Sequence, residues 1–195
     1  MTRTGGLILL VIALILGAFL WLASRGGPAT APEPIAEPPR AKLPPSPYAP
    51  SRTGELVIPV NGVWQAALTD TWGDARADGA RAHHAIDIMA PRGTAVVAAA
   101  AGTVEKLFES RDGGHTIYIR RTDPAWIDYY AHLDAYAPNL KEGDRIGQGQ
   151  LIGGVGSSGD ASPEAPHLHY EIKRMRPDEK WYEGMEINPY PLLAK

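Results

Sequence analysis

The sequence predicts a mainly β protein, an antiparallel β-sheet or sandwich preceded by one N-terminal transmembrane helix. Three observations lead to this prediction. Short β-prone runs separated by glycine-marked turns fill residues 55–195, an uncharged apolar stretch lies within residues 1–25, and a proline-rich stretch occupies residues 26–54. We therefore expect a membrane anchor, a linker and one globular domain, in that order.

The β prediction comes from residues 55–195. Runs such as "ELVIPV", "TAVVAAA", "HTIYIRR", "WIDYYAHL" and "HLHYEIKRM" are short and rich in β-branched or aromatic residues. No long segment has the apolar period of a helix. Strands this short and this closely spaced favour an antiparallel sandwich or an open, barrel-like sheet with little helix.

The transmembrane prediction rests on Gly5–Ser24, a stretch without charge that lies between Arg3 and Arg25. A helix of about 20 residues spans the roughly 30 Å hydrocarbon core of a bilayer. A cleaved signal peptide is the alternative. The apolar stretch is longer than such peptides usually have and no small-x-small cleavage site follows it, which favours an uncleaved anchor. The Lys/Arg distribution does not set its orientation.

The linker, Gly26–Gly54, contains 9 of the chain's 18 prolines and shows no apolar periodicity. Proline favours extended, semi-rigid polyproline II, which at about 3.1 Å per residue would reach roughly 80 Å here. We interpret the stretch as a spacer rather than as a proline-motif ligand of another domain.

Composition excludes several functions. The formal net charge is −3, without a basic excess, so nucleic acid is not an expected partner. The chain has no cysteine, which removes disulfides, thiolate zinc sites and a cysteine nucleophile. Any metal must therefore be held by histidine and carboxylate side chains.

Two of the six histidines lie in the stretch "PHLHYEI". In an extended strand His167 and His169 point to one face, with Leu168, Tyr170 and Ile172 on the other. Two imidazoles buried on one face with nothing to bind would be costly. Alone, however, an H-x-H pattern is weak evidence for a metal.

The stretch "HHAIDI" has a similar pattern. If it is extended, His83 and Asp87 share one face with the small Ala85 between them, and His84 points to the other. Two histidines and one carboxylate form a common catalytic zinc set, and non-haem iron uses a similar triad. The ligands alone therefore do not choose the metal.

Other polar residues receive plainer interpretations. Strand alternation places the side chain of His132, in "YYAHL", on the face of Tyr130. His115 follows Asp-Gly-Gly and is expected in a turn, and Glu171 is expected to form a salt bridge rather than to be a fourth ligand. The stretch "GQGQLIGGVGSSG" lacks the Lys-Ser/Thr of a phosphate loop, so we expect tight turns and a groove wall.

The motifs "HHAID", "YYAHLD", "GQLIGGVGSSG" and "PHLHYEI", in this order, resemble those of lysostaphin-type (LytM-domain) peptidoglycan metallopeptidases. The resemblance covers the chain from Glu55 to the "INPYP" near its end. It implies a mostly antiparallel β fold of the duplicated-hybrid-motif type, with a narrow active-site groove and one zinc ion on its floor.

The resemblance also implies a role for each motif residue. His83, Asp87 and His169 correspond to the zinc ligands of the family, and His132 and His167 to its two catalytic histidines. One of the two catalytic imidazoles would act as the base that takes a proton from the zinc-bound water. The other would stabilise the oxyanion, and the sequence does not say which does which.

Two positions depart from the family pattern. Ala85 replaces the usual glycine of H-x-G-x-D, with little effect expected because alanine is also small. Some members carry a tyrosine shortly before the first ligand, where this chain reads "RADGARA". Either Trp72, Tyr129 or Tyr130 replaces it, or this role is absent from the chain.

The function implied is a zinc metalloendopeptidase that hydrolyses peptide cross-links of bacterial peptidoglycan, with a DD-endopeptidase-like specificity. The alternative is a non-catalytic LytM-type regulator of another wall hydrolase. Degenerate members of that kind typically lose zinc ligands, whereas all five site positions are filled here. We expect a single-pass protein of the bacterial inner membrane with its catalytic domain in the periplasm.

Overall fold

The computed structural model describes residues 55–76 and 81–195. In these residues every paired strand is antiparallel, which confirms the mainly antiparallel β prediction. The predicted anchor and linker, within residues 1–54, lie outside the described part. Among the described residues, no helix has the length and apolar character needed to cross a membrane.

The described residues contain eleven strands, one 3₁₀ turn at Gln65–Ala67 and one short helix, α1, at Tyr190–Leu193. The strands are β1 Ala75–Arg76, β2 Arg81–Ala82, β3 Ile86–Met89, β4 Ala95–Val97, β5 Gly102–Ser110, β6 Gly114–Arg121, β7 Trp126–Tyr136, β8 Arg145–Ile146, β9 Leu151–Val155, β10 His167–Arg174 and β11 Met185–Ile187.

Nine strands form one sheet, and β1 and β2 pair separately. The main path of the large sheet runs β11-β10-β7-β6-β5-β8, while β3 also pairs with β10, and β9 joins β7 to β4. Strand β10 thus has β7 on one side and β3 followed by β11 on the other.

The register of β10 determines which side chains meet. His169 lies opposite Asp87 of β3 and opposite Ala131 of β7. Directly opposed residues of antiparallel strands point to the same face of the sheet. The odd-numbered side chains of β10 therefore share a face with Asp87. We call this the site face.

The opposite face carries the hydrophobic core. Leu168, Tyr170 and Ile172 of β10 are fully buried there, as the alternation predicts. The Tyr170 hydroxyl donates to Asp128, whose carboxylate accepts two hydrogen bonds from Arg121, at 2.6 and 2.9 Å. Other fully buried members of the core are Val60, Ile86, Val96, Val104, Ile117, Ile119, Tyr130, Leu133, Ile152 and Val155.

Strand β7 changes partners at His132. Up to Ala131 it pairs with β10, and from Leu133 onward it pairs with β9. Between these segments His132 has a φ of 59°, in the left-handed region that a residue with a side chain rarely adopts. Across the other edge of β7, His115 of β6 lies opposite Leu133 and Ile117 lies opposite Tyr130, so β7 has one residue more than β6 in this interval. Such an extra residue is a β-bulge, which re-aims a side chain.

This bulge corrects one prediction. Tyr130 is fully buried in the core, whereas the ring of His132 lies 5.0 Å from that of His167 on the site face. The two residues therefore do not share a face, because the left-handed backbone interrupts the alternation on which the prediction depended.

Two further expectations are corrected. His115 is not a turn residue but the second residue of β6, and its Nδ1 lies 3.3 Å from the Leu133 carbonyl oxygen. The glycine-rich stretch is not only turns, since Leu151–Val155 forms strand β9 within it.

Glycine is required next to the bulge: a Cβ at Gly156 would lie 2.3 Å from the Asp134 nitrogen and 2.8 Å from the His132 carbonyl oxygen.

Candidate metal centre

Three side chains converge on the site face. His83 Nε2 lies 3.1 Å from Asp87 Oδ1 and 3.1 Å from His169 Nδ1, and His169 Nδ1 lies 3.2 Å from Asp87 Oδ1. In the described part of the chain, these residues form a group of His and carboxylate side chains that could hold a metal ion. They come from the segment before β3, from β3 and from β10.

Thr71 holds two of the three residues in place. Its carbonyl oxygen accepts a hydrogen bond from His83 Nδ1 at 2.8 Å, and its hydroxyl oxygen accepts one from the Asp87 backbone N–H at 3.0 Å. Because a carbonyl oxygen only accepts, the proton of a neutral His83 lies on Nδ1. Nε2 therefore directs its lone pair towards Asp87 and His169. The sequence motifs give no signal for Thr71, which lies 12 residues before His83.

His169 presents its other ring nitrogen, Nδ1 rather than Nε2, to the ligand group. Its Nε2 lies 3.0 Å from Glu171 Oε1, so Nε2 is the donor and Nδ1 faces Asp87 and His83. Glu171 is thus beside the ligand group but not part of it, as the sequence predicts.

The convergent atoms fit a small cation. Two imidazole nitrogens and a carboxylate oxygen are electron-pair donors, and their close approach is repulsive unless a proton or a metal ion lies between them. Metal–ligand bonds of about 2.0–2.1 Å in a tetrahedral zinc site would place the ligand atoms about 3.3 Å apart. The observed separations, 3.1–3.2 Å, agree with that value.

Two more imidazoles adjoin this group. The His132 ring lies 5.0 Å from the ring of His167 and 5.5 Å from that of His169. His132 Nδ1 lies 2.9 Å from the Ser158 carbonyl oxygen, and His167 Nδ1 lies 2.9 Å from that of Ala165. Both rings therefore donate from Nδ1 and keep Nε2 for other partners, and His167 Nε2 is 3.7 Å from Asp87 Oδ1.

The electrostatics of the ligand group favour a cation. Burial alone would raise the pKa of Asp87, but a proton shared with the facing nitrogens of His169 and His83 outweighs it and holds that pKa well below its usual value. Burial alone would lower the pKa of His169, but hydrogen bonds with Asp87 and Glu171 raise it to about 9. The same carboxylates that favour a proton on His169 would favour a metal ion instead.

Two neighbours of the ligand group, His132 and Glu171, also have altered pKa values. The pKa of His132 is lowered, chiefly by burial and further by the charges of His169 and His167. Burial would raise the pKa of Glu171, but the hydrogen bond from His169 and the charge of Lys173 lower it, so Glu171 is ionised at neutral pH. The site therefore contains an imidazole that favours its neutral form and a carboxylate that favours its charged form.

The structure also places His84 and the aromatic residues that could replace the family's tyrosine. His84 lies away from the ligand group, about half exposed, with its ring stacked on Trp72 at 5.2 Å. The Tyr130 hydroxyl accepts from the Ala99 backbone N–H within the core. Tyr129 alone of the three aromatic candidates lies against a ligand, with its ring 6.0 Å from that of His169.

The described residues thus form an antiparallel β protein whose sheet carries three side chains that could hold a metal ion, with two further histidines beside them. Residues 81–189, more than half of the chain, match the model of peptidase family M23, and the chain belongs to that family. This result confirms the resemblance to lysostaphin-type (LytM) proteins.

Several characterised proteins are similar to the chain. It is 36% identical over 146 residues to an L-Ala–D-Glu endopeptidase of Bacillus subtilis, covering 72% of this chain and 43% of that protein. It is 41% identical over 92 residues to the peptidoglycan DD-endopeptidase ShyC of Vibrio cholerae, covering 47% and 20%. It is also 33% identical over 111 residues to the murein hydrolase activator NlpD of Salmonella typhimurium, covering 56% and 26%.

The fold is also that of a solved family member. The catalytic domain of lysostaphin from Staphylococcus simulans superimposes with a TM-score of 0.54 at 28% identity, over 66% of this chain and 92% of that domain. In contrast, the chain spans less than half of the length of the curated relatives described above. The similarity therefore concerns only a part of each of these relatives.

Proposed function

We propose that the chain is a zinc-dependent endopeptidase that hydrolyses peptide cross-links of bacterial peptidoglycan. The observation that carries the proposal is the convergence of His83, Asp87 and His169 beside two further imidazoles, His132 and His167. Peptidase family M23 and its peptidoglycan endopeptidase members support the reaction class.

Zinc is the proposed metal because the donors are two imidazoles and one carboxylate at tetrahedral spacing, in a family of hydrolases rather than oxygenases. His83 Nε2, Asp87 Oδ1 and His169 Nδ1 would hold it. When bound, zinc would lower the pKa of a water molecule to about 7 and polarise the scissile carbonyl group.

His132 and His167 would perform the proton transfers. Each keeps its proton on Nδ1 through a backbone carbonyl, so the Nε2 lone pair of the neutral ring can accept a proton from an attacking water. A protonated ring can instead donate from Nε2 to the tetrahedral oxyanion or to the leaving amine. Two imidazoles on neighbouring strands divide these tasks.

The bond we propose is the D-Ala–diaminopimelate cross-link. The support is the similarity to a peptidoglycan DD-endopeptidase. The similarity to an L-Ala–D-Glu endopeptidase makes the stem peptide the competing site of cleavage. The test is digestion of purified, dimeric muropeptides with identification of products by mass. Monomers with intact stems support the cross-link, and products cut between L-Ala and D-Glu contradict it.

Regulation of another hydrolase is the second candidate function, favoured by the similarity to a murein hydrolase activator. The complete set of five site residues speaks for catalysis instead. The same digestion decides between them when no other hydrolase is present. A purified chain that cuts muropeptides alone is an enzyme. A chain that cuts none alone, but speeds cleavage in a second digestion with an added wall hydrolase, is an activator.

We also propose that Gly5–Ser24 keeps the chain in the inner membrane and that residues 55–195 work in the periplasm. The support is the uncharged stretch and the periplasmic location of the proposed substrate. Two measurements test this. A mature N-terminus after Ser24 would contradict the anchor, and a C-terminal domain shielded from protease in spheroplasts would contradict the orientation.

A further inference from the structure

We propose that Glu171 is a positioning residue for His169: its carboxylate fixes the tautomer and orientation of that ring and thereby strengthens metal binding. The inference rests on the proposed metal centre, because it concerns how one ligand of that centre is held. Glu171 contacts His169 and Lys173 and is not one of the three residues whose donor atoms converge.

The geometry places Glu171 behind the ligand. Glu171 and His169 lie two residues apart on β10 and therefore share the site face. Glu171 Oε1 is 3.0 Å from His169 Nε2, while Nδ1 of the same ring faces Asp87 and His83 at 3.2 and 3.1 Å. A proton held on Nε2 leaves the Nδ1 lone pair for a metal ion.

Glu171 is unusual among the groups that orient the four site imidazoles. The outer nitrogens of His83, His132 and His167 each face a backbone carbonyl oxygen, at 2.8, 2.9 and 2.9 Å. Only His169, of these four, has a carboxylate behind it. A charged acceptor makes a stronger hydrogen bond than a neutral one and makes the ring a better electron-pair donor. His169 should therefore be the strongest of the histidine ligands.

Lys173 holds Glu171 in this orientation. Its ammonium nitrogen lies 3.5 Å from Glu171 Oε2 and 3.7 Å from Glu186 Oε1, and the residue is buried. The two oxygens of Glu171 thus have different partners, His169 on one side and Lys173 on the other. A carboxylate fixed at both oxygens cannot rotate away from the ring without losing an ion pair.

The test is the zinc affinity of the full-length protein, measured by competition with a chromogenic chelator. Glu171→Met keeps the side-chain volume but removes the acceptor, and should weaken zinc binding by about 10–100-fold. Glu171→Gln keeps an acceptor oxygen and should lose less than Glu171→Met. The absorption spectrum of bound Co²⁺ should change in Glu171→Met as well, since it reports the ligand field rather than stability.

The matched control is Glu186→Gln, because Glu186 also contacts Lys173 but does not contact His169. It should bind zinc within about twofold of the wild-type protein. If Glu171→Met does not fold, the double variant Glu171→Met/Lys173→Met removes both charges of this ion pair together and preserves packing. It should show the same loss of affinity.

The outcomes separate the two proposals. A wild-type protein that binds no zinc overturns the metal centre and this inference with it. Zinc binding by the wild-type protein with unchanged affinity in Glu171→Met overturns the positioning role alone. Equal losses in Glu171→Met and Glu186→Gln also overturn it, because a remote carboxylate would then act as strongly as the one in contact.

Discussion

Strands β10 and β7 lie side by side. Strand β10 supplies two histidines to the site and β7 supplies one, and the two backbones bring them there in different ways. Strand β10 alternates regularly, with His167 and His169 on the site face and Leu168 and Tyr170 in the core. Strand β7 alternates only as far as Ala131. At His132 its backbone adopts a φ of 59°, and the ring turns to the site face.

The two strands differ in the backbone conformation that directs a histidine to the site face. On β10 the site face follows from the pleat of the strand, which imposes no strain. On β7 a non-glycine residue occupies the left-handed region, which costs on the order of 1–3 kcal/mol and persists only where its surroundings hold it. The His132 backbone N–H donates to the Gly113 carbonyl oxygen and its Nδ1 to that of Ser158, at 2.8 and 2.9 Å.

The largest expected effect is loss of a ligand. His83→Ala should abolish zinc binding and lower activity by at least about 10³-fold, because both the metal and its electrostatic stabilisation of the transition state are lost. The measurements are zinc content and the rate of muropeptide cleavage. His84→Ala is the matched control, since His84 is the next residue and points away. Full zinc occupancy in His83→Ala would contradict the ligand set.

The second prediction compares a catalytic histidine of β10 with that of β7. His167→Ala on β10 and His132→Ala on β7 should both keep zinc and should each lower kcat by about 10²–10⁴-fold, because each removes a proton-transfer group. Zinc content and kcat, with circular dichroism as a check on folding, test this. Loss of zinc in either variant would make that histidine a ligand, and full activity in both would refute their catalytic role.

A substitution with a smaller expected effect, Gly156→Ala, tests the bulge at His132. Gly156→Ala places a Cβ 2.3 Å from the Asp134 nitrogen and 2.8 Å from the His132 carbonyl oxygen, so the bulge must move. We expect a loss of about 1–3 kcal/mol in the free energy of unfolding and at least about a tenfold loss in kcat.

Gly154→Ala is the control for this variant. Its added Cβ would meet no backbone atom nearer than 3.6 Å, which is ordinary van der Waals contact. Denaturant titrations and kcat of both variants are compared with the wild-type protein. Equal behaviour of the two variants would show that the close approach at Gly156 does not shape the site.

The smallest effect concerns pH. The pKa of His132 is lowered, chiefly by burial, so His132 should become protonated only below its ordinary pKa of about 6.5. If its neutral form accepts a proton in the reaction, the part of the activity that depends on it falls as the pH drops through that lowered pKa. A nuclear magnetic resonance titration of labelled histidines, assigned with His132→Ala, measures it. A midpoint at or above 6.5 would contradict the expected direction.

The contrast between β10 and β7 also explains what the sequence could predict. Alternation in "HLHYEI" and "HHAIDI" places His169 and Asp87 on one face because a regular strand has a period of two residues. The same rule fails at His132, where the bulge depends on close approach to Gly156 and on partners in other segments. Thr71 could not be found either, because it acts through its backbone carbonyl and hydroxyl groups from a segment without a motif.

We propose that the site face holds a zinc ion that the chain uses for peptidoglycan hydrolysis. The most direct test is to titrate metal-stripped, full-length protein with zinc while measuring cleavage of purified muropeptides. We expect no cleavage before zinc is added and a rate that rises in proportion to zinc and levels at about one equivalent per chain. Cleavage that is unaffected by stripping, or one bound equivalent of zinc without any cleavage, would contradict the proposal.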